Sequence, residues 1–433
     1  MDTAALATLI LIGGFALLML LRVPVTFAML LATLSSALVS GTNLSAMVRQ
    51  MVDGANNFSL LSIPFFIVMG EIMGAGGISD RIVDLANLVV GRFKGGLAYV
   101  NCLDSMFFGG ISGSAVADVS SLGSVVIPMM KKQGYDEDFA VGLTVVTACQ
   151  GVLIPPSHNM VIYALAAGGS VTIGSMFMAG AIPGILLGAC LMTLCFFMAE
   201  RFNFPKGMTF TRKEAPKVIL NGLAPMLTLV IIMGGVAAGI FTATESAAIA
   251  CVYTFLLTYV FFRSAKLRDF GKVLKNSLRT LAIVMTLLAT AKAFAYMMTD
   301  LRIPELITNT LLRLTENKYL LLLIINALLL VLGCFMDMAP LIMIMTPILL
   351  PVVTSPIVGM DPVQFGVMLI FNLAVGLCTP PVGSALFVGC SVGKTPLERT
   401  ARKMLPMFGV MIFALLLVTF IPALSMWLPG MVF

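Results

Sequence analysis

The chain has 433 residues, of which 59% are hydrophobic and 11% are charged, whereas a soluble domain carries about 25% charged residues. This composition excludes an ordinary cytosolic enzyme, a disordered protein and a nucleic-acid binder. It favours an all-α polytopic membrane protein embedded in a lipid bilayer. It disfavours an outer-membrane barrel, because the apolar stretches are long and continuous, not short alternating strands.

The cysteines and the single histidine give no sign of a metal cluster or a disulfide framework. None of the eight cysteines forms a CxxC pair, and His158 is the only histidine. Most of the cysteines lie within apolar runs, which is typical of small buried residues. We therefore expect no resident cofactor.

Twelve apolar runs follow one another along the chain. A spanning helix needs about 20 apolar residues, so the runs predict about ten to twelve transmembrane helices. Runs 97–130 and 319–354 are too long for one span and are broken at 109–114 and 333–337, so we interpret each as a re-entrant helical hairpin. The runs lie near 4–21, 23–40, 59–76, 97–130, 139–168, 176–199, 218–240, 244–262, 280–298, 319–354, 364–393 and 404–428.

The basic residues orient this topology. With the N-terminus outside and neither hairpin crossing the membrane, 21 of the 26 Lys and Arg residues fall in cytoplasmic segments, as the positive-inside rule requires. The prediction is ten crossings, two hairpins and both termini outside. The 21 residues are Arg22, Arg81, Arg92, Lys94, Lys131, Lys132, Arg201, Lys206, Arg212, Lys213, Lys217, Arg263, Lys266, Arg268, Lys272, Lys275, Arg279, Lys394, Arg399, Arg402 and Lys403.

Matching features in the two halves of the chain predict an internal repeat. Asp136 lies 19 residues before Pro155-Pro156, and Asp361 lies 19 residues before Pro380-Pro381. Each half has five crossings, an odd number, so the second is inverted, as in many secondary transporters. The first hairpin opens to the cytoplasm and the second to the outside. The predicted parts are a first repeat at 1–200 with hairpin 97–130 and broken helix 139–168, a cytoplasmic linker at 201–217, and a second repeat at 218–433 with hairpin 319–354 and broken helix 364–393.

Five segments carry a family resemblance. They are Ser112–Asp118, Gly151–Ser157, Phe241–Ala248, Gly333–Asp337 and Gly376–Gly383. In this order they resemble the large (M) membrane subunit of TRAP transporters, the tripartite ATP-independent periplasmic transporters. The resemblance covers essentially the whole chain.

The resemblance implies a non-enzymatic, elevator-type importer of an organic acid with Na⁺ as coupling ion. Its implied partners are a small (Q-type) membrane subunit and a periplasmic substrate-binding protein. The implied location is the bacterial inner membrane, which would place both termini in the periplasm.

The resemblance also implies two sodium sites, and the residue types suit them. Hard cations take oxygen ligands, and a proline within a helix frees the carbonyl four residues back. A plain proline kink remains the alternative for either motif alone. The implied first site consists of Ser112, Ser114, Gly151, Ile154 and Pro156, and the second of Gly333, Gly376, Thr379 and Val382.

Further candidates lie at the hairpin tips and around the substrate. Asp118 and Asp337 either attract sodium and orient the tips or bond nearby helix ends, and both interpretations stay open. His158 binds either substrate or a backbone carbonyl, Glu245 is favoured as a helix cap, and Asp104 has no assigned role. The tip and substrate candidates are Gly113, Asp118, Ser157, His158, Asn159, Asp337, Pro380 and Pro381.

Three other functions compete with this interpretation. A stand-alone sodium-coupled carboxylate symporter would need no binding protein, and the sequence barely separates it from the tripartite transporter. The permease of an ATP-driven importer fits two re-entrant hairpins poorly. An intramembrane enzyme lacks an H-E-x-x-H motif and has little general-base material.

Overall fold

The computed structural model describes residues 3–207 and 213–432. Over these ranges the chain consists of helices and short connections, with no strand beyond an isolated bridge between Lys94 and Lys206. This confirms the predicted all-α class. Both chain ends and part of the predicted linker 201–217 fall outside the described ranges.

Eleven helices precede the linker among the described residues, and a π-helical turn at Ile10–Gly14 joins the first two. The helices are α1 Thr3–Leu9, α2 Phe15–Leu20, α3 Val25–Ser40, α4 Leu44–Ala55, α5 Ser62–Ala75, α6 Ile78–Val90, α7 Gly96–Ser112, α8 Ala115–Lys132, α9 Glu137–Gly151, α10 His158–Ala166 and α11 Ile173–Arg201.

Twelve helices follow the linker among the described residues, and a π-helical turn at Leu257–Phe261 extends the second of them. The helices are α12 Ala215–Ala237, α13 Ala243–Leu256, α14 Phe270–Asp300, α15 Ile303–Leu314, α16 Lys318–Gly333, α17 Met338–Val353, α18 Pro362–Cys378, α19 Ser384–Gly393, α20 Leu397–Lys403, α21 Leu405–Phe420, α22 Ala423–Met426 and α23 Pro429–Val432.

Several of these helices can cross a membrane, which makes the chain a multi-pass membrane protein. Among the described residues, five continuous segments are long and apolar enough, and two bent pairs raise the number to seven. The pairs are α5–α6, bent by 76°, and α20–α21, bent by 56°. The remaining apolar helices are shorter than a span, so the total of ten crossings stays a prediction. The five segments are Thr3–Leu20, Ile173–Arg201, Ala215–Ala237, Ala243–Phe261 and Leu267–Asp300.

Helices α9 and α18 form the centre of the bundle. Every residue of α9 except Glu137 is buried, and every residue of α18 except Pro362. A helix that is apolar and buried on all sides lies inside a larger bundle. Each begins with an aspartate cap, since Asp136 accepts from the Phe139 amide and Asp361 accepts from the Val363 amide. The two central helices therefore start alike, and both end at a break that contains a proline pair.

A buried asparagine joins each central helix to the first arm of a hairpin. Thr147 of α9 donates a hydrogen bond of 2.9 Å to Asn101 of α7, and Asn372 of α18 donates one of 2.9 Å to Asn326 of α16. Both bonds join residues 46 positions apart. The two bonds are offset by 225 positions (326 − 101 and 372 − 147). The same polar contact thus fixes the register of arm and central helix in both halves.

Candidate functional site

The turn between α7 and α8 is held by its own side chains. Gly113 has a φ of 62°, a left-handed conformation that glycine adopts without steric cost, and it ends α7. Ser114 accepts from the Ala117 amide and caps α8. Ser112 Oγ donates to Asp118 Oδ1 and accepts from the Ser114 amide at 3.2 Å. Asp118 therefore stabilises the tip by accepting a hydrogen bond from Ser112, which is a predicted sodium ligand.

The first hairpin touches the break after α9 through glycines. A Cβ atom on Gly109 would lie 2.1 Å from Cα of Gly151, so only two glycines can pack this closely. At the tip, a Cβ on Gly113 would lie 3.0 Å from the carbonyl oxygen of Pro156. The tip and the break thus form one region, which contains the predicted first-site residues Ser112, Ser114, Gly151, Ile154 and Pro156.

The second hairpin meets the break after α18 in the same way. A Cβ atom on Gly376 would lie 2.7 Å from Cα of Gly333. The amide of Val382 donates to the carbonyl oxygen of Cys334 at 3.2 Å. Thr379 Oγ1 donates to a carbonyl of its own helix at 2.7 Å, so its lone pairs stay available to a cation. The predicted second-site residues therefore lie together at this contact. They are Gly333, Gly376, Thr379 and Val382.

The proline pairs interrupt the helical hydrogen bonds at both breaks, where the carbonyls of Gly151 and Gly376 each accept one turn hydrogen bond, from the amides of Ile154 and Thr379. Residues 152–157 separate α9 from α10, and residues 379–383 separate α18 from α19. Pro155-Pro156 and Pro380-Pro381 are both joined by cis peptide bonds. A proline has no amide hydrogen, so neither pair can satisfy the carbonyls of the preceding turn. The carbonyls at both breaks can therefore serve as cation ligands.

A cavity of about 1510 Å³ reaches both hairpin tips. Its wall contains Ser112 and Ser114 from the first tip, His158 and Asn159 from the start of α10, and Asp337 from the start of α17. A ligand in this cavity can therefore contact both halves of the chain at once.

The other predicted tip residues do not line the cavity. Asp118 and Ser157 are completely buried. Gly113, Pro380 and Pro381 belong to the turns themselves and do not line the cavity. Of the tip and substrate candidates, His158, Asn159 and Asp337 are the residues that line it.

Three helices begin at the cavity wall. Residues 115–117 of α8, 158–159 of α10 and 338–339 of α17 all line it. Helix N-termini favour negative charge because their first amides have no helical partner. Asp337 already occupies one of them, since its side chain accepts from the Met338 amide at 3.0 Å. Ser114 caps the start of α8, so the start of α10, which has no side-chain cap, is the one that remains for an anionic ligand.

Helix α5 contributes a cavity face that sequence analysis missed. Ile67, Gly70, Glu71 and Gly74 line the cavity at the spacing of one helix face. A Cβ atom on Gly70 would lie 3.6 Å from Cα of Ser112, so this face touches the first tip. The sequence feature that could have revealed this face is Glu71, an isolated acid within the apolar run 59–76. Ionisable residues at membrane depth commonly face a water-filled cavity.

Helix α14 also lines the cavity and was likewise missed. Lys272, Asn276, Thr280 and Leu287 line the cavity at helical spacing, and Arg268 precedes them. The polar members come first along the chain, next to the segment around 263–269 that the charge pattern predicts to be cytoplasmic. The cavity thus runs from the hairpin tips toward that segment.

Glu245 forms a cap, as favoured from the sequence. Its carboxylate accepts from the amide of Thr242 at 2.8 Å and from the Thr242 hydroxyl at 2.9 Å. The Thr242 hydroxyl in turn accepts from the Glu245 amide, which completes a capping box at the start of α13. This residue organises a helix end and does not line the cavity.

The architecture is similar to a solved membrane transporter. The chain matches the Alcanivorax borkumensis YdaH transporter with a TM-score of 0.62 at 14% identity, covering 87% of this chain and 88% of the other. At this identity the likeness shows the fold alone.

Sequence relatives cover almost the whole length. An uncharacterised Salmonella typhimurium protein, YgiK, is 40% identical over 97% of both chains. The sialic acid TRAP transporter large permease protein SiaM of Vibrio cholerae is 36% identical over 96% of this chain and 97% of its own. The family model described as tripartite ATP-independent periplasmic transporter, DctM component, matches residues 12–424. The chain therefore belongs to the DctM family and is a large permease subunit of a TRAP transporter, not an enzyme.

Proposed function

We propose that this chain imports an organic acid through the bacterial inner membrane, driven by the sodium gradient. Large permease subunits of this family work with a periplasmic binding protein and usually a small membrane subunit. The relative SiaM takes its name from sialic acid, a carboxylate. The observation that carries the proposal is the meeting of both hairpin tips at one cavity, with each hairpin packed through glycines against a helix break.

Two sodium sites are proposed, one at each break. The first uses Ser112, Ser114 and carbonyls of residues 151–156, and the second uses Thr379 and carbonyls of Gly333, Gly376 and Val382. Sodium is a hard cation and takes oxygen ligands, which backbone carbonyls and hydroxyls supply. The support is that hairpin tip and break touch in each half, so ligands from both can reach one ion.

Substrate binding is proposed in the cavity between the tips. The carboxylate would lie at the uncapped N-terminus of α10, where amides and the helix dipole favour an anion. His158 and Asn159 would donate hydrogen bonds to the same ligand, since both line the cavity. Sodium at the two breaks would hold the tips in the geometry that this binding needs.

An elevator motion of inverted repeats is proposed for translocation. Recurring Asn101–Thr147 and Asn326–Asn372 contacts at a common offset support the repeat. The hairpins and broken helices would move as one body along α3, α5 and α14, which also line the cavity. Since the cavity extends to the predicted cytoplasmic segment, this conformation would be the one that releases substrate.

The experiment is reconstitution of the chain with its small subunit in liposomes, with the cognate binding protein outside. A panel of organic acids is tested with and without an inward sodium gradient. Uptake of one acid only with both sodium and the binding protein supports the proposal. Equal uptake without the binding protein would establish the stand-alone symporter instead.

A further inference from the structure

Two cysteines meet where the central helices touch, and the proposed function does not use them. The thiol of Cys378, the last residue of α18, donates to Sγ of Cys149 in the last turn of α9, with the two sulfur atoms 3.1 Å apart. Both side chains are completely buried, and both thiols are free. The two residues lie 229 positions apart in the chain, so the contact joins the two halves.

The separation of the two sulfur atoms is close to that of a disulfide. An S–S bond is about 2.05 Å long, so the sulfurs need to approach one another by only about 1 Å. Packed helices make shifts of this size in conformational transitions. The only other contact of the Cys378 thiol is a 3.4 Å hydrogen bond to the carbonyl oxygen of Ala374 in its own helix, and thiols are weak donors. Little therefore opposes bond formation between the two sulfurs.

A small oxidant in the cavity has a short path to the pair. Leu377, the residue before Cys378, and Val152, three residues after Cys149, both line the cavity. Hydrogen peroxide is small and uncharged, so it can enter the packed region from there. Isolated buried cysteines are normally inert, but here a second thiol at contact distance can trap the first oxidation product.

We propose that Cys149 and Cys378 form a modification site, which a peroxide oxidises to a disulfide that stops transport until a thiol reduces it. One thiol attacks the peroxide, whose O–O bond breaks, and a sulfenic acid and one water form. The other thiol attacks that sulfur, the S–S bond forms, and the sulfenic oxygen leaves with the remaining thiol proton as a second water. The two electrons that the sulfurs lose reduce the peroxide.

The disulfide acts on both helix breaks at once. Cys149 lies two residues before Gly151, and Cys378 directly precedes Thr379. Gly151 and Thr379 are ligands of the two proposed sodium sites. Drawing the sulfurs together by about 1 Å shifts the ends of both central helices and displaces these ligands. Inhibition of transport therefore rests on the proposed function, whereas formation of the bond does not.

The repeat supplies a matched substitution. The position 225 residues after Cys149 is Ala374, which is completely buried in α18. The fold thus accommodates alanine at the equivalent place, so Cys149→Ala should keep wild-type uptake. Cys378→Ser, which retains a small polar side chain, is the second variant if alanine at 149 prevents folding. Cys251→Ala, at a half-buried position in α13, is the control.

The test treats the purified complex of the chain and its small subunit, in liposomes, with hydrogen peroxide. Mass spectrometry of a digest made without reductant should find the Cys149 and Cys378 peptides linked, and uptake should fall several-fold. Dithiothreitol should restore uptake, which separates the disulfide from methionine oxidation, because methionine sulfoxide needs a reductase. Cys149→Ala and Cys378→Ser should resist peroxide, whereas Cys251→Ala should be as sensitive as the wild type.

Absence of the linked peptide in an active wild-type protein would overturn the proposal. A linked peptide with undiminished uptake would overturn its effect on transport, and so would thiol-reversible inhibition that persists in Cys149→Ala and Cys378→Ser. Failure of the proposed function looks different, since wild-type uptake would then be independent of sodium before any peroxide is added. The linked peptide is measured without reference to uptake, so it decides bond formation in either case.

Discussion

Asn372 donates a hydrogen bond of 2.9 Å from its side-chain nitrogen to Oδ1 of Asn326, joining central helix α18 to the first arm of the second hairpin. Both side chains are buried. We predict that Asn326→Ala lowers the free energy of unfolding by about 1–3 kcal/mol, because it removes a buried amide and leaves the Asn372 amide with the main-chain carbonyl of Asn326 as its remaining acceptor. It should also raise the sodium concentration needed for half-maximal uptake, since the register of Gly333 and Gly376 depends on this bond.

Thermal unfolding and sodium activation of uptake measure the two effects. Asn309→Ala, on the exposed face of α15, is the control and should change stability by less than about 0.5 kcal/mol. A stable Asn326→Ala protein with wild-type sodium activation would show that the bond does not position the site.

The contact between Gly109 and Gly151 gives a second prediction. Gly151→Ala should abolish most uptake, because its Cβ atom would lie 2.7 Å from Cα of Gly109 and force the hairpin away from the break. Gly234→Ala in α12 has nothing within 4 Å of the new methyl group and should keep full uptake. Uptake assays on both variants at equal protein level decide the matter, and a fully active Gly151→Ala protein would refute the close packing.

Breaking the ion pair between Arg399 and Asp138 should lower the free energy of unfolding strongly, because one partner is buried and the other exposed. The Asp138 side chain is 4% exposed and that of Arg399 is 60% exposed. Arg399→Met leaves a buried carboxylate with Thr400 as its remaining partner, so we expect a loss of roughly 2–4 kcal/mol.

Chemical unfolding measures this loss, and Lys272→Met is the matched control. Lys272 pairs with Asp269 at 3.4 Å while 83% exposed, so its loss should cost less than about 1 kcal/mol. Equal effects of the two substitutions would contradict the role of burial.

His158 lines the cavity at the start of α10 and, among the described residues, has no hydrogen-bond partner. We predict that His158→Ala raises the half-saturating substrate concentration several-fold and leaves sodium activation unchanged. His158→Asn, which retains a donor, should recover part of the affinity. Substrate titrations of uptake test this, and unchanged affinity in the Ala variant would remove His158 from the substrate site.

The sequence predicts where helices break, but it does not predict which helices pack against each break. Gly113 and the proline pairs mark local backbone conditions, so the ends of α7, α9 and α18 could be predicted. The packing of Gly109 on Gly151 joins helices far apart in sequence, and nothing local to either glycine signals it. The same holds for Glu71 and Asn276, whose place on the cavity wall depends on how helices assemble. The repeat boundaries, the sodium ligands and the elevator motion stay predictions.

Sodium binding at the two breaks is tested most directly by the initial uptake rate as external sodium is raised, compared between wild type, Ser114→Ala and Thr379→Ala. Each substitution removes a hydroxyl ligand from one proposed site. Both variants are therefore predicted to need more sodium for half-maximal uptake while folding normally. Wild-type sodium dependence in both would contradict sodium binding at these breaks.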